Sequence, residues 1–324
     1  MEPPSKRLRN DELITFNAPR TSSLPSPTIK LTGHKGSVYA LQYDPAGEAL
    51  VSSSFDMACL LWDRFYGNYN VLEGHKNAVL DCKWFTSEHI VTASADKTCG
   101  WWNANTGERI KKLQGHEGIV NAVDTIKVGA APLLASASDD CTCKLWDCRT
   151  RSPVATLEHD YPVTAVAYGT DVVYTGGLDN CIYAWDVRTN KKTMKMTSHK
   201  DTITSLALHP KHTQLLSFSM DSNLKTWDIQ PFTAQKNRLL KTFTGAKTNA
   251  EKGLLKCSWS PDGSMVTAGS SDCMVHIWDE VTTEELYLLP GHTGCVNTVV
   301  FHPKENVIAS GSSDKSIYVG ELGQ

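Results

Sequence analysis

A short alternation of apolar and polar residues recurs along the chain, each time just after an aspartate. Small or apolar residues stand three and five positions after Asp56, Asp140, Asp272 and Asp314, and the position between them is polar or small in most copies. A period of two predicts a strand that buries one face. The chain is therefore predicted to be rich in half-buried strands.

A second apolar set follows the histidines. Val38, Leu41 and Tyr43 stand four, seven and nine positions after His34, and later copies keep this spacing. The change from a step of three to a step of two predicts a bulge in that strand. Turn-forming stretches such as "DPAGE" and "SPDGS" follow these strands, as expected for antiparallel neighbours.

Seven units of about 42 residues emerge when these patterns are aligned, which is the length of a four-stranded propeller blade. In five units a histidine, a serine or threonine, an aspartate and a tryptophan keep one order: His34, Ser52, Asp56 and Trp62; His75, Thr92, Asp96 and Trp102; His116, Ser136, Asp140 and Trp146; His159, Thr175, Asp179 and Trp185; His199, Ser217, Asp221 and Trp227. The sixth unit has Ala250 and Ala268 instead of the histidine and the hydroxyl residue. The seventh unit has Gly320 instead of the tryptophan.

This pattern, with endings such as "CKLWD" and "VHIWD", resembles the WD-repeat β-propeller family. The resemblance implies an all-β, seven-bladed ring over residues 27–324, preceded by a basic, disordered N-terminal tail at 1–26. The last unit ends one strand short, and "PTIKLT" at 27–32 precedes the first unit. We therefore expect this N-terminal strand to pair with the last blade and remove the open edges.

The four recurring polar residues could be read as catalytic, since Ser136, Asp140 and His116 have the composition of a nucleophilic triad. The same trio recurs in most units, which indicates architecture. In the family that the chain resembles, these residues form a buried hydrogen-bond chain, and the resemblance implies a complete structural tetrad in blades one to five. Blades six and seven are expected to be less stable.

Composition argues against several other kinds of site. The net charge of −3 does not favour broad capture of nucleic acid or of anionic membranes. Cys141, Cys143 and Cys148 lack a paired zinc-ligand spacing, and the sequence contains no phosphate loop of the P-loop type and no dinucleotide fingerprint. We expect no catalytic residue, no cofactor, no metal and no small-molecule substrate, so the sequence does not predict an enzyme.

Two features indicate a docking surface. The residue before each turn aspartate lies near one face, and in three units it is apolar; a long basic loop joins units five and six. The candidate docking residues are Phe55, Leu178, Met220, Lys236, Arg238 and Lys247.

Stretches such as "EKGLLKCSWSPDGS" and "LPGHTGCVNTVVFHP" are similar to the WD-repeat subunits of the spliceosomal U-five small nuclear ribonucleoprotein. This similarity implies a nuclear, non-catalytic scaffold in pre-mRNA splicing. The partners that it implies are the large scaffold protein of the catalytic centre and the GTPase and helicase of that particle, with RNA contact indirect or minor and no membrane contact. "WDCR" and "WDVR" keep a cullin-ligase substrate receptor, or another WD-repeat adaptor, open as the alternative.

Overall fold

Seven antiparallel sheets of four strands make up the fold. The computed structural model describes residues 22–128, 131–150, 152–232, 237–248 and 253–323, and no helix occurs within these ranges. The first strands of neighbouring sheets contact one another in a closed cycle, from the first sheet through the seventh and back. The sheets are therefore the blades of a seven-bladed β-propeller, as the sequence predicts.

The strands are numbered in chain order. The N-terminal strand is β1 (Thr28–Leu31). Blade one contains β2 (Val38–Tyr43), β3 (Ala49–Ser54), β4 (Cys59–Asp63) and β5 (Asn68–Leu72), and blade two contains β6 (Val79–Thr86), β7 (His89–Ser94), β8 (Thr98–Asn103) and β9 (Arg109–Gln114). Blade three contains β10 (Val120–Val128), β11 (Ala131–Ser138), β12 (Thr142–Asp147) and β13 (Ala155–Glu158), and blade four contains β14 (Val163–Tyr168), β15 (Val172–Gly177), β16 (Cys181–Asp186) and β17 (Lys191–Thr197). Blade five contains β18 (Ile203–Leu208), β19 (Gln214–Ser219), β20 (Leu224–Asp228) and β21 (Leu239–Phe243), and blade six contains β22 (Cys257–Trp259), β23 (Met265–Ala268), β24 (Val275–Asp279) and β25 (Glu285–Leu289). Blade seven contains β26 (Val296–Phe301), β27 (Val307–Ser312) and β28 (Ile317–Glu321).

The ring is closed by both ends of the chain. β1 is the fourth strand of blade seven and pairs with β28 from Thr28 opposite Gly320 to Leu31 opposite Ile317. This confirms the predicted closure. Leu24 and Leu31 are buried in a core cluster shared by blades seven and one, and Ser23 bonds the Glu305 carboxylate. The chain therefore packs on the ring from residue 23 onward, while residues 1–21 of the expected tail lie outside the described residues.

The predicted bulge occurs in the innermost strands. The register shifts between Val38 and Ala40 in β2, and it shifts at the same point in six of the seven blades. Apolar residues of all four strands fill the clefts between blades, so each core cluster joins two neighbours. Blade packing thus makes the ring one continuous body.

Candidate functional site

The turns divide the ring into two faces. Because strands alternate in direction, the turns between second and third strands lie on the same face as the loops that enter each first strand. We call this the upper face and the opposite one the lower face. Each upper turn places a residue just after its aspartate in the left-handed region, for example Lys97 with φ 70° and Cys141 with φ 63°. The aspartate side chain stabilises the turn by accepting the N–H of the residue two positions on, as Asp96 does from Thr98.

A buried hydrogen-bond chain runs below this turn in blade two. The Nδ1–H of His75 donates to Asp96 (2.9 Å), because a carboxylate can only accept. The His75 Nε2 lies 2.7 Å from the Thr92 hydroxyl, which accepts the indole N–H of Trp102 at 2.9 Å. Blades one, three and five contain the same chain with similar distances.

The electrostatics of these chains indicate structure and not reactivity. Burial tends to raise the pKa of Asp56 and Asp140, but hydrogen bonds from the histidine, the backbone and, at Asp140, Thr142 outweigh it and lower each pKa to about 2. Burial lowers the pKa of His116. Ser136 is completely buried, so no substrate can reach its hydroxyl. The apparent triad is therefore inaccessible.

Blade four departs from the expected tetrad. Trp185 still donates to Thr175 at 2.9 Å, but the Asp179 carboxylate accepts the hydroxyl of Tyr183 at 2.7 Å instead of a histidine. The His159 Nε2 is buried and has no hydrogen-bond partner in the described residues. Its ring packs edge-on against Trp185 at 4.9 Å. The prediction of a complete fourth chain is wrong, because the hydroxyl of Tyr183 and not the imidazole of His159 bonds the Asp179 carboxylate.

This departure makes blade four sensitive to acid. Burial, and then the charge of Lys192, lowers the pKa of His159 to about 4, whereas an unfolded histidine has a pKa of about 6.5. The unfolded chain takes up the proton first, so stability is lost as the pH falls from about 7 to about 4. We expect the melting temperature to fall less over this range in H159F, which keeps an aromatic ring, than in the wild type. H212N, at an exposed position, is the control; equal falls in H159F and the wild type would contradict the assignment.

Blade six replaces its missing tetrad members with a residue that sequence reasoning passed over. His276 contacts Asp272 through Nε2 at 3.1 Å and Glu285 through Nδ1, and its ring stacks on Trp278. Trp278 donates to the Thr244 carbonyl at 3.1 Å, since Ala268 has no hydroxyl. Ala250 lies outside the described residues. In blade six the turn aspartate is therefore bonded by a side chain of its own sheet, His276 of β24, and not by a histidine of the loop before the first strand.

Blade seven keeps three of the four tetrad members. His292 bonds Asp314 (3.0 Å) and Ser310 (2.9 Å). Gly320 supplies no indole, and the ring of Tyr318 packs edge-on against His292 at 4.7 Å. The expected lower stability of blades six and seven stays a prediction.

The cysteines do not form a metal centre in the described part of the chain, where no group of three or more ligand side chains converges. Cys143 is fully buried at an apolar strand position, and burial raises the pKa of its thiol to about 12. Burial, and then the negative charge of Asp147, raises the pKa of the Cys148 thiol to about 11. Protonated thiols of this kind are poor ligands and poor nucleophiles.

The central channel holds a non-repeating polar cluster that the sequence did not predict. It opens between the first strands as a cavity of about 460 Å³. Lys256 of blade six reaches Asp81 of blade two at 2.6 Å, and Asp81 also accepts the N–H of Val123. Burial, and then the negative charge of Asp81, raises the pKa of the neighbouring Cys82 thiol to about 12. The cluster ties non-adjacent blades together and offers no activated nucleophile.

The candidate docking residues that the structure describes are divided between the two faces, four on the upper face and Arg238 on the lower one, and their role in docking stays a prediction. Phe55 (59% exposed) and Leu178 (47%) lie on the upper face in blades one and four, and Met220 is half-buried in blade five. Arg238 donates to the Asp228 and Gln230 carbonyls, so it braces its own loop. Lys247 is exposed on the upper face, and Lys236 lies outside the described residues.

The closed ring of seven sheets and the recurring polar chains define a WD-repeat β-propeller. The family model described as "WD domain, G-beta repeat" matches residues 25–63, 68–103, 107–147, 151–186, 190–228, 237–279 and 283–319. The chain belongs to this family.

Its relatives within the family include proteins of the splicing machinery. The chain is 45% identical to "U5 small nuclear ribonucleoprotein 40 kDa protein" of Dictyostelium discoideum, over 95% of this chain and 88% of the relative. It is 44% identical to the human protein of the same name, over 96% and 88%. It is 42% identical to "Pre-mRNA-splicing factor cwf17" of Schizosaccharomyces pombe, over 98% and 94%.

Proposed function

We propose that the protein is a non-catalytic scaffold of the U5 small nuclear ribonucleoprotein and acts in pre-mRNA splicing in the nucleus. The observation that carries the proposal is the identity of 42–45% over nearly the whole length to relatives named for this particle or for splicing. The fold supports it, because a rigid ring with loops on two faces can hold several partners at once. We propose as partners the large scaffold protein of the catalytic centre and the GTPase and helicase of the particle.

The buried tetrads and the protonated thiols support a role without catalysis. The two arginines that suggested a ubiquitin-ligase adaptor make ion pairs within their own blades. Arg149 binds Asp147 at 2.5 Å, and Arg188 binds Asp171 at 3.2 Å. Ion pairs of this kind occur on protein surfaces generally and do not favour an adaptor, so we propose no second function.

Affinity purification of the tagged full chain from nuclear extract tests the proposal. We expect U5 RNA and splicing proteins to copurify, and the proteins that bind the ring directly to stay bound after ribonuclease treatment. An unrelated seven-bladed propeller with the same tag is the control. Recovery of a cullin adaptor without U5 RNA would contradict the proposal.

A further inference from the structure

The upper face is divided by charge. Among the described residues, the upper loops and turns outside blades three and four carry one exposed acid, Glu73, and six exposed lysines: Lys35, Lys76, Lys97, Lys200, Lys247 and Lys315. Those of blades three and four carry three exposed acids and no lysine or arginine: Glu117, Asp139 and Asp160. The negative charge is therefore concentrated over two neighbouring blades.

Exposed apolar side chains lie among these acids. Tyr161 is 56% exposed, Leu178 47% and Ile119 37%. We call the set Glu117, Ile119, Asp139, Asp160, Tyr161 and Leu178 the acidic–apolar patch. Clustered apolar surface rimmed by charge is typical of a binding site for another macromolecule.

Hydrogen bonds hold the patch as one surface across the two blades. The buried Asn121 donates to the Asp139 carboxylate at 2.6 Å and to the Val163 carbonyl of blade four at 3.1 Å. The Asp139 N–H donates to the Ile119 carbonyl, and the Leu178 N–H donates to the Pro162 carbonyl. A ligand would thus meet a surface that is already ordered, which lowers the entropic cost of binding.

Two lysines of blade four make cation–π contacts with a tyrosine of the same blade. Lys192 and Lys195 of β17 lie over the ring of Tyr183, at 4.6 and 5.4 Å from its centre. The thiol of Cys141 reflects the negative charge around the patch, because burial and then Asp140, Asp139 and Asp160 raise its pKa. The charged groups that act on this thiol are therefore all negative.

We propose that the acidic–apolar patch binds a basic segment of a partner protein, in which apolar side chains alternate with lysine or arginine. Charge complementarity selects the cations, and Tyr161, Leu178 and Ile119 offer an apolar contact for the residues between them. RNA is repelled by the same three acids. The proposal concerns this surface alone and holds whichever assembly the chain joins.

A labelled peptide of alternating arginine and leucine tests the proposal by fluorescence anisotropy with the full chain. We expect saturable binding that weakens with salt, and a loss of about tenfold in E117Q/D139N/D160N, which removes three charges without changing side-chain size. The matched control is E88Q/E108Q/E284Q, which removes three charges from exposed lower-face positions and should change binding by less than about twofold. Y161S/L178S should weaken binding but keep its salt dependence.

Three outcomes would overturn the proposal: no saturable binding by the wild type, equal loss in the two triple variants, or equally tight binding of a peptide with glutamate in place of arginine. Binding of an oligouridylate RNA that the acid-to-amide changes weaken would also overturn it, because it would make the patch an RNA site. None of these outcomes bears on copurification with U5 RNA, so the two proposals fail separately.

Discussion

Deletion of residues 1–31 is expected to lower the melting temperature by about 10 °C or more, or to abolish a cooperative transition. The deletion removes β1, whose four residues pair with β28, together with the buried side chains of Leu24 and Leu31. Burial of two leucines contributes about 3–6 kcal/mol, which is comparable to the whole stability of a typical domain, about 5–15 kcal/mol. The unpaired edge of β28 would also be exposed to aggregation.

Deletion of residues 1–21 is the matched control, because it keeps β1, Leu24 and the bonds of Ser23 to Glu305. We expect its melting curve, followed by tryptophan fluorescence, to match that of the full chain. If the longer deletion cannot be purified, L31S and K30S compare neighbouring positions on the two faces of β1. Leu31 is 5% exposed, so L31S should be clearly the less stable variant; equal melting would contradict closure by β1.

The architecture could be predicted from the sequence because the same pattern occurs seven times. A single Trp-Asp pair is a weak signal, but a histidine, a hydroxyl residue and an aspartate in register indicate one repeated sheet. The bulge near Val38 was also predictable, since the apolar spacing changes from three residues to two. The closure of the ring was predictable because the last unit lacks its fourth strand and one extra strand precedes the first unit. These two ends pair as β1 and β28.

The departures in blades four and six share a cause that the aligned repeat conceals. Tyr183 and His276 both stand four residues after the turn aspartate, at a strand position occupied by Leu60 and Gly100 in blades one and two. A side chain at this position that carries a hydrogen-bond donor can reach back to the aspartate, as Tyr183 does at 2.7 Å and His276 at 3.1 Å. The residue type at this position does not decide the outcome, because Tyr318 stands there in blade seven and leaves the His292–Asp314 bond intact. The choice between two donors for one carboxylate depends on side-chain geometry.

Contacts across the ring could not be predicted from the repeats. Asp81 lies in β6 and Lys256 immediately before β22, in non-adjacent blades, and no pattern within one unit indicates that they meet. The acidic–apolar patch likewise combines Glu117 and Asp139 of blade three with Tyr161 and Leu178 of blade four. Asp139 and Leu178 share one recurring position, just before a turn aspartate, but no pattern within one unit indicates that residues of two blades form a common surface. Residues that differ between repeats become a site only when the fold brings neighbouring blades together.

The same substitution in two blades should have unequal costs. H116A breaks a complete chain, leaving the buried Asp140 carboxylate and the Ser136 hydroxyl without their imidazole partner. Loss of one member of a buried hydrogen-bond network lowers the free energy of unfolding by about 1–3 kcal/mol. We expect the loss in H116A to lie at the upper end of this range, because the charged Asp140 carboxylate loses a hydrogen bond.

H159A removes only ring contacts, because His159 bonds neither Asp179 nor Thr175. The loss of its packing against Trp185 should cost about 1 kcal/mol. Urea unfolding of both variants at neutral pH gives the comparison, with exposed H212A as the control for a histidine outside the tetrads. Equal losses for H116A and H159A would show that the hydrogen-bond chain contributes little beyond ring packing, and that the tetrads are not what stabilises the upper turns.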